Sequence, residues 1–285
     1  MKALESVTVQ AIVELESPFM NIRELLPDLT SEVLEANRDW MPKRLLGDGD
    51  MANLVFQSFI VKTPRQTILI DSCIGNDKHN RRDLFNMRRN DTYMRALKQA
   101  GLTPDDIDVV MCTHLHADHV GWNTRLDGNR WVPTFPKARY VFGREEFDHW
   151  TALQGGKPET VYTESVLPVV EAGLAQIVDY NFELEEAMRL LPTPGHTPGH
   201  FAVAFGTRRD ELVITGDLLH TSIQLRHPEL SVAFDTDKLL AAQSRRGLLE
   251  AYCDQPTLCC FGHFPMALNG RITRWETGFR CEPMA

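Results

Sequence analysis

Six residues constrain this chain more than any others. "THLHADHVG" places His114, His116, Asp118 and His119 together, directly after the apolar run "IDVVMC". Chance rarely supplies four metal-ligating side chains in so short a span. An apolar run that stops at such a cluster reads as a buried strand delivering ligands to a loop. Alternate residues of an extended segment point the same way, so His114 and His116 can clamp one ion. Asp118 and His119 lie past the turn and can reach a second. Gly121 is expected to let the backbone leave the site without strain.

Three more apolar runs end in the same manner. His196 follows "RLLPTPG", Asp217 follows "LVITG", and His263 follows "LCCFG". If these strand ends meet at one edge, seven ligands converge: His114, His116, Asp118, His119, His196, Asp217 and His263. Seven nitrogen and oxygen donors exceed one tetrahedral zinc. They suit two ions about 3.5–4 Å apart that share a carboxylate and a hydroxide. Asp71, at the end of "ILIDSC", is read either as support for the site or as a turn former. His79, His149, His200 and His227 are read as ordinary solvated histidines, and Cys259 and Cys260 as strand core.

The rhythm around these motifs is mixed α/β. "VTVQAIVEL" alternates like a strand, and "SFIVKTPRQTILIDSC" reads as two strands about a turn at Thr63–Gln66. "TYMRALKQAG" is helical and closes at Gly101. "TPDDIDVVMCTH" is a helical turn and then a strand. "ARYVFG" is a strand before the helix "REEFDHWTAL", and "AMRLLPTPGHTPGHFAVAFG" is strand, loop, strand. "DTDKLLAAQSRRGLLEAY" is the longest helix. Two batches of strands with helices outside them suit sheets packed face to face. At 285 residues the chain is read as a single domain over 1–285. Residues 17–50 form an N-terminal arm or lid, or simply pack on the sandwich, with a helix over Ser31–Trp40 capped by Thr30.

Composition removes several classes of partner. Thirty basic against thirty-nine acidic residues give a net charge of −9, without a basic run, which argues against nucleic acid. No apolar stretch is long enough to span a membrane, and the N-terminus lacks the apolar core of a signal peptide. The six cysteines form no C-x-x-C pair and read as reduced thiols. These features together predict a cytoplasmic protein.

"THLHADHVG", "PTPGHTPGH", "TGDLLH" and "FGH", in this order, closely resemble the metallo-β-lactamase superfamily over about residues 50–275. The resemblance implies a four-layer αβ/βα sandwich. It further implies that His114, His116 and His196 hold a first metal, that Asp118, His119 and His263 hold a second, and that Asp217 bridges them. The ions implied are two divalent cations, Zn2+ foremost, with Mn2+, Co2+ or Fe2+ as substitutes. A hydroxide bridging the pair would then attack an acyl or phosphoryl centre, with Asp118 as ligand and proton carrier.

Departures from the pattern narrow the branch. True β-lactamases of this fold often place Cys where Asp217 stands. Flavodiiron proteins carry Glu where His116 stands. Thioesterases of the glyoxalase II type add a helical extension, and nucleases add basic surfaces. What remains resembles the acyl-homoserine lactonases and the methyl parathion hydrolase-like enzymes. Lactonases have Tyr three residues after the bridging Asp; this chain has His220, as in the second branch, and that position implies a hydrogen bond to the substrate oxygen. Trp122 replaces a second Gly and is read as either pocket wall or packing. The expected activity is lactone opening or carboxylic ester cleavage on a small molecule, with organophosphate triester hydrolysis as the alternative. A mononuclear iron persulfide dioxygenase needs fewer ligands than are present. The N-terminal arm is read as a homodimer contact, a lid over the pocket or simple packing on the sandwich.

Overall fold

The computed structural model describes residues 1–156, 159–184 and 188–283. Among these residues the chain forms two seven-stranded sheets and a short hairpin, with helices between the strands. It divides into two compact units, Met1–Leu15 with Phe56–Leu190, and Glu16–Val55 with Leu191–Ala285. None of the described helices is long and apolar enough to cross a membrane.

The first sheet runs in the order Lys2–Ala3, Thr8–Asn21, Met51–Lys62, Thr67–Ile70, Val109–Cys112, Arg139–Gly143, Ala175–Val178. Its last four strands pair in parallel, with Ile68 opposite Val109, Val109 opposite Arg139 and Tyr140 opposite Ala175. All four residues of Val109–Cys112 are buried, as expected of a central parallel strand covered on both faces. The helix Thr92–Gln99 packs Tyr93 and Leu97, one turn apart, against the core that holds Leu69, Val110 and Tyr140. The expected C-terminal glycine is confirmed: Gly101 has φ +75°, the left-handed conformation that ends a helix. Elements of this unit that were not foreseen include the strand Ala175–Val178, the helices Thr160–Ser165 and Leu167–Glu171, and the hairpin Thr124–Asp127 with Arg130–Pro133.

The second sheet runs Glu183–Leu184, Met188–Pro192, Phe201–Phe205, Leu212–Ile214, Leu258–Cys260, Gly270–Trp275, Gly278–Pro283. Leu212–Ile214 and Leu258–Cys260 are parallel neighbours, so both C-terminal ends, which lead to Asp217 and His263, face the same way. Ala187, the first residue of one expected strand, lies outside the described residues. Cys259 and Cys260 are fully buried in this sheet, as read from the sequence.

The longest helix, Lys238–Tyr252, starts at Asp237, whose side chain accepts a hydrogen bond from the Leu240 amide. The segment 17–50 supplies Ile22, Leu25, Leu26, Leu34 and Met41 to a cluster with Ile223, Leu230 and Val232 of the same unit. Thr30 caps its helix as expected, accepting from the Val33 amide. The helix stops at Asn37, three residues short of Trp40. There the Asn37 amide donates back to the Val33 carbonyl, and the Trp40 indole N–H donates to Asn37.

Candidate metal centre

In the first unit the strand Val109–Cys112 runs straight into the donor cluster. Thr113 is anchored by Asp71, which accepts from its amide at 2.7 Å and from its hydroxyl at 2.9 Å. Nε2 of His114 and Nδ1 of His116 face each other at 3.0 Å. Asp118 and His119 sit on the single-turn helix Ala117–Val120, with Nε2 of His119 3.9 Å from the Asp118 carboxylate. The other nitrogen of His119, Nδ1, lies 2.8 Å from the Asp71 carboxylate. Asp71 therefore supports the site rather than only forming a turn, although it also has φ +57°. Leu115 between the histidines donates its amide to buried Glu146.

Gly121 has a different reason from the one the sequence suggested. Its φ is −59°, an ordinary helical value. A Cβ there would lie 1.8 Å from the Ile74 carbonyl oxygen, so glycine is required by close approach and not by conformation. Trp122 is packing: it is buried and stacks on Tyr93 with ring centres 5.3 Å apart.

In the second unit the "PTPGHTPGH" loop carries Gly195 at φ +128°, where a Cβ would strike the backbone of Ala241. Here glycine meets both a conformational and a steric demand. Nδ1 of His196 is held at 2.8 Å by Asp235, and Nε2 lies 3.3 Å from Asp217. Nδ1 of His263 pairs with the Val55 carbonyl oxygen at 3.1 Å, and Nε2 lies 3.1 Å from Asp217. His220 also reaches Asp217, at 3.1 Å through Nε2, and is buried. Donor atoms of Asp217, His220 and His263 all lie within 4.8 Å of one another.

The charges follow from these contacts. Burial pulls His196 down, but the carboxylates of Asp217 and Asp235 more than offset it and hold it up at about 9. His220 is pushed down to about 4, first by burial and then by the neighbouring His263 and His196, against the pull of Asp217. Asp235 is itself held below the usual range by His196 and Arg245, against the effect of burial.

The donor chemistry fits a divalent cation. His119, His196 and His263 each commit Nδ1 to an oxygen acceptor, which fixes a proton there and turns Nε2 toward a metal; on His196 a cation would displace the Nε2 proton that faces Asp217. Two imidazole nitrogens facing each other, as in His114 and His116, cannot both carry a proton. A cation satisfies both. The sequence motifs thus place four donors in the first unit and three, with His220 beside them, in the second.

Several supporting residues escaped the sequence reading. Asp235, Glu146 and Arg245 had no local signature. His200 was misread as solvated. It is fully buried, and its Nε2 accepts the Asp217 amide at 3.0 Å while Nδ1 lies 2.8 Å from the Thr193 hydroxyl. Its repetition of "PGH" after His196 was the available signal. His79 is exposed but paired with Glu164 at 2.6 Å. Beside that pair the first unit has a small hollow of about 10 Å3, room for roughly one water, lined by Ile74, Phe85, Ala117 and Val161 together with Lys78 and Glu164.

Comparison with known proteins bears on this centre. The family described as the metallo-beta-lactamase superfamily matches residues 55–263. An N-acyl homoserine lactonase from a Bacillus species is 26% identical over 230 residues, covering 76% of this chain and 84% of its own. N-acyl homoserine lactonase AiiA of Bacillus thuringiensis subsp. kurstaki matches to the same extent. The crystal structure of hydrolase AbOPH, in the beta lactamase superfamily, has a TM-score of 0.81 at 21% identity, covering 99% of this chain and 96% of that one. AidC, a dizinc quorum-quenching lactonase, has a TM-score of 0.76 at 21% identity, covering 98% and 94%. These likenesses show the mixed α/β sandwich that the motifs implied.

Proposed function

The chain belongs to the metallo-β-lactamase superfamily and is a metal-dependent hydrolase; from that premise we propose that it opens lactones or cleaves carboxylic esters at a dinuclear centre. The observation that carries this reading is the paired anchoring of the histidines, which prepares Nε2 of His119, His196 and His263 for metal. In the proposal His114, His116 and His196 would hold one ion, Asp118, His119 and His263 the other, and Asp217 would serve both. The lactonase names of the relatives support the acyl substrate. Two divalent cations supply Lewis acidity, bringing a water to its deprotonated form near neutral pH and polarising the electrophilic oxygen.

The chain's own residues do the rest. Asp118 is the more exposed of the two carboxylates, 15% against 3% for Asp217. It moves the proton from the attacking water to the departing alkoxide. His220 holds its proton at Nε2, against Asp217. Were the charge of Asp217 committed to cations, that N–H would be the donor for the oxygen that gains charge.

A second reading, organophosphate triester hydrolysis, is favoured by His220 standing where the lactonases have Tyr. One experiment separates the readings. Elemental analysis of purified protein should give close to two equivalents of zinc-like metal per chain. The same preparation should turn over lactones or aryl esters faster than phosphotriesters, and chelation should abolish turnover until metal is returned. A preference for phosphotriesters would favour the second reading. One equivalent of iron at saturation would refute both.

A further inference from the structure

Glu14 lies on the strand Thr8–Asn21, far in sequence from every donor. Its side chain is fully shielded from solvent. A buried carboxylate is expensive unless it is hydrogen-bonded and paired. Oε2 accepts the Ile74 amide at 2.8 Å and the Gly75 amide at 3.4 Å. The Arg88 guanidinium is 3.9 Å from Oε1.

The segment that Glu14 holds is unusual. Asp71, Cys73 and Gly75 all have positive φ, of 57°, 51° and 81°. Two of them are not glycine, and such backbone persists only where its surroundings over-determine it. Alternating left-handed residues turn successive amides to one side and form a concavity for an anion. Glu14 is that anion.

The same segment grips the donor loop. The Ser72 amide donates to the His119 carbonyl at 2.7 Å. The Gly121 amide donates to Cys73 at 2.7 Å, and the Trp122 amide to Ser72 at 2.8 Å. Asp71 at its start orients the His119 ring. The Ile74 carbonyl, whose amide Glu14 accepts, abuts Gly121.

We propose that Glu14 is a positioning residue for the metal centre: by binding the Ile74 and Gly75 amides it fixes the left-handed turn 71–75, and through that turn it sets His119. This rests on the reading of His119 as a metal ligand. Glu14 is not one of the donors; it contacts the Ile74 and Gly75 amides and acts through the turn.

The test uses full-length protein loaded with Zn2+ or Co2+ at pH 8. Three variants are compared: Glu14→Ala, Glu14→Gln and His119→Ala. Metal release to a chromogenic chelator, the visible spectrum of the Co2+ form and the melting temperature are measured on each. His119→Ala should lose one equivalent of metal. Glu14→Ala should keep the wild-type stoichiometry but release metal about 10–100-fold faster, the range for losing a group that orients ligands. Its Co2+ spectrum should change. Glu14→Gln retains one oxygen acceptor and should recover part of the difference. Wild-type stoichiometry in His119→Ala would overturn the ligand reading, and the proposal with it. A normal loss there, with unchanged release and spectrum in Glu14→Ala, would overturn the proposal alone. Lowered melting temperatures in both Glu14 variants with wild-type release from the folded fraction would show a merely structural role, and would also overturn it.

Discussion

Replacing Glu14 by Gln should make the metal-free fold more stable at alkaline pH, although it weakens the support of the donor loop. Burial raises the Glu14 carboxyl from 4.5 to about 7, against the opposing pull of the Ile74 amide and Arg88. Below pH 4.5 the group is protonated in both the folded and the unfolded chain, and stability is unaffected. Between 4.5 and about 7 the folded chain keeps a proton that the unfolded chain has lost. Stability then falls by about 1.4 kcal/mol per pH unit. Above pH 7 the deficit levels off at about 3 kcal/mol. Gln does not titrate. It keeps a carbonyl for one amide, as the protonated carboxyl does, so it matches wild type at low pH and escapes the deficit at high pH. Near pH 8 the variant should therefore be more stable than wild type by about 3 kcal/mol, and near pH 4.5 about equal to it. Urea unfolding of both proteins in excess chelator at pH 5, 6, 7 and 8 measures this directly. A constant gap across that range would refute the reasoning, because it would mean that Glu14 does not change its charge there.

Other substitutions probe the donors and their supports. Asp217→Ala should lose at least one metal equivalent and about 10³-fold or more in kcat; near-normal turnover would show that another residue takes its place. His220→Ala should keep its metal and lose about 10–10³-fold in kcat, as for one transition-state donor. His220→Tyr should shift preference toward acyl-homoserine lactones. Unchanged kcat per folded enzyme in His220→Ala would remove its catalytic role. Asp235→Asn should release metal faster, since His196 loses its anchor, and should destabilise the fold by about 3–5 kcal/mol because buried Arg245 loses its carboxylate partner. Chelator competition and urea midpoints on that variant check both halves.

What the sequence made legible is what is local in it. The four strand ends, the Thr30 cap and the Gly101 terminus each depend on residues a few positions apart, and each is found in the structure. The H-x-H-x-D-H cluster is local in the same sense. Supports that reach across the chain were not legible. Asp71 meets His119 across 48 residues, Asp235 meets His196 across 39, and Glu14 meets Ile74 across 60. Nothing in a run of neighbouring residues marks a carboxylate as the partner of a distant amide or imidazole. Gly121 is instructive because its presence was noticed and its reason was not. Conformational freedom can be guessed from a motif, but contact with the Ile74 carbonyl appears only once the two loops are in place. The hairpin about Asp127–Gly128 carried a recognisable turn signal, with Gly128 at φ +60°.

The second unit draws on the chain twice, from Glu16–Val55 and again from Leu191 onward. During synthesis this order matters. Ile22, Leu25, Leu26 and Leu34 leave the ribosome early, yet their partners Ile223, Leu230 and Val232 emerge only after the whole contiguous stretch Phe56–Leu190 of the first unit. At about 5–20 residues per second the wait is roughly ten to forty seconds. For that interval a greasy stretch of nascent chain has no native partner. A cell making this protein must shield it, and expression yield should respond to chaperone supply and to translation speed more than the stability of the finished fold would suggest.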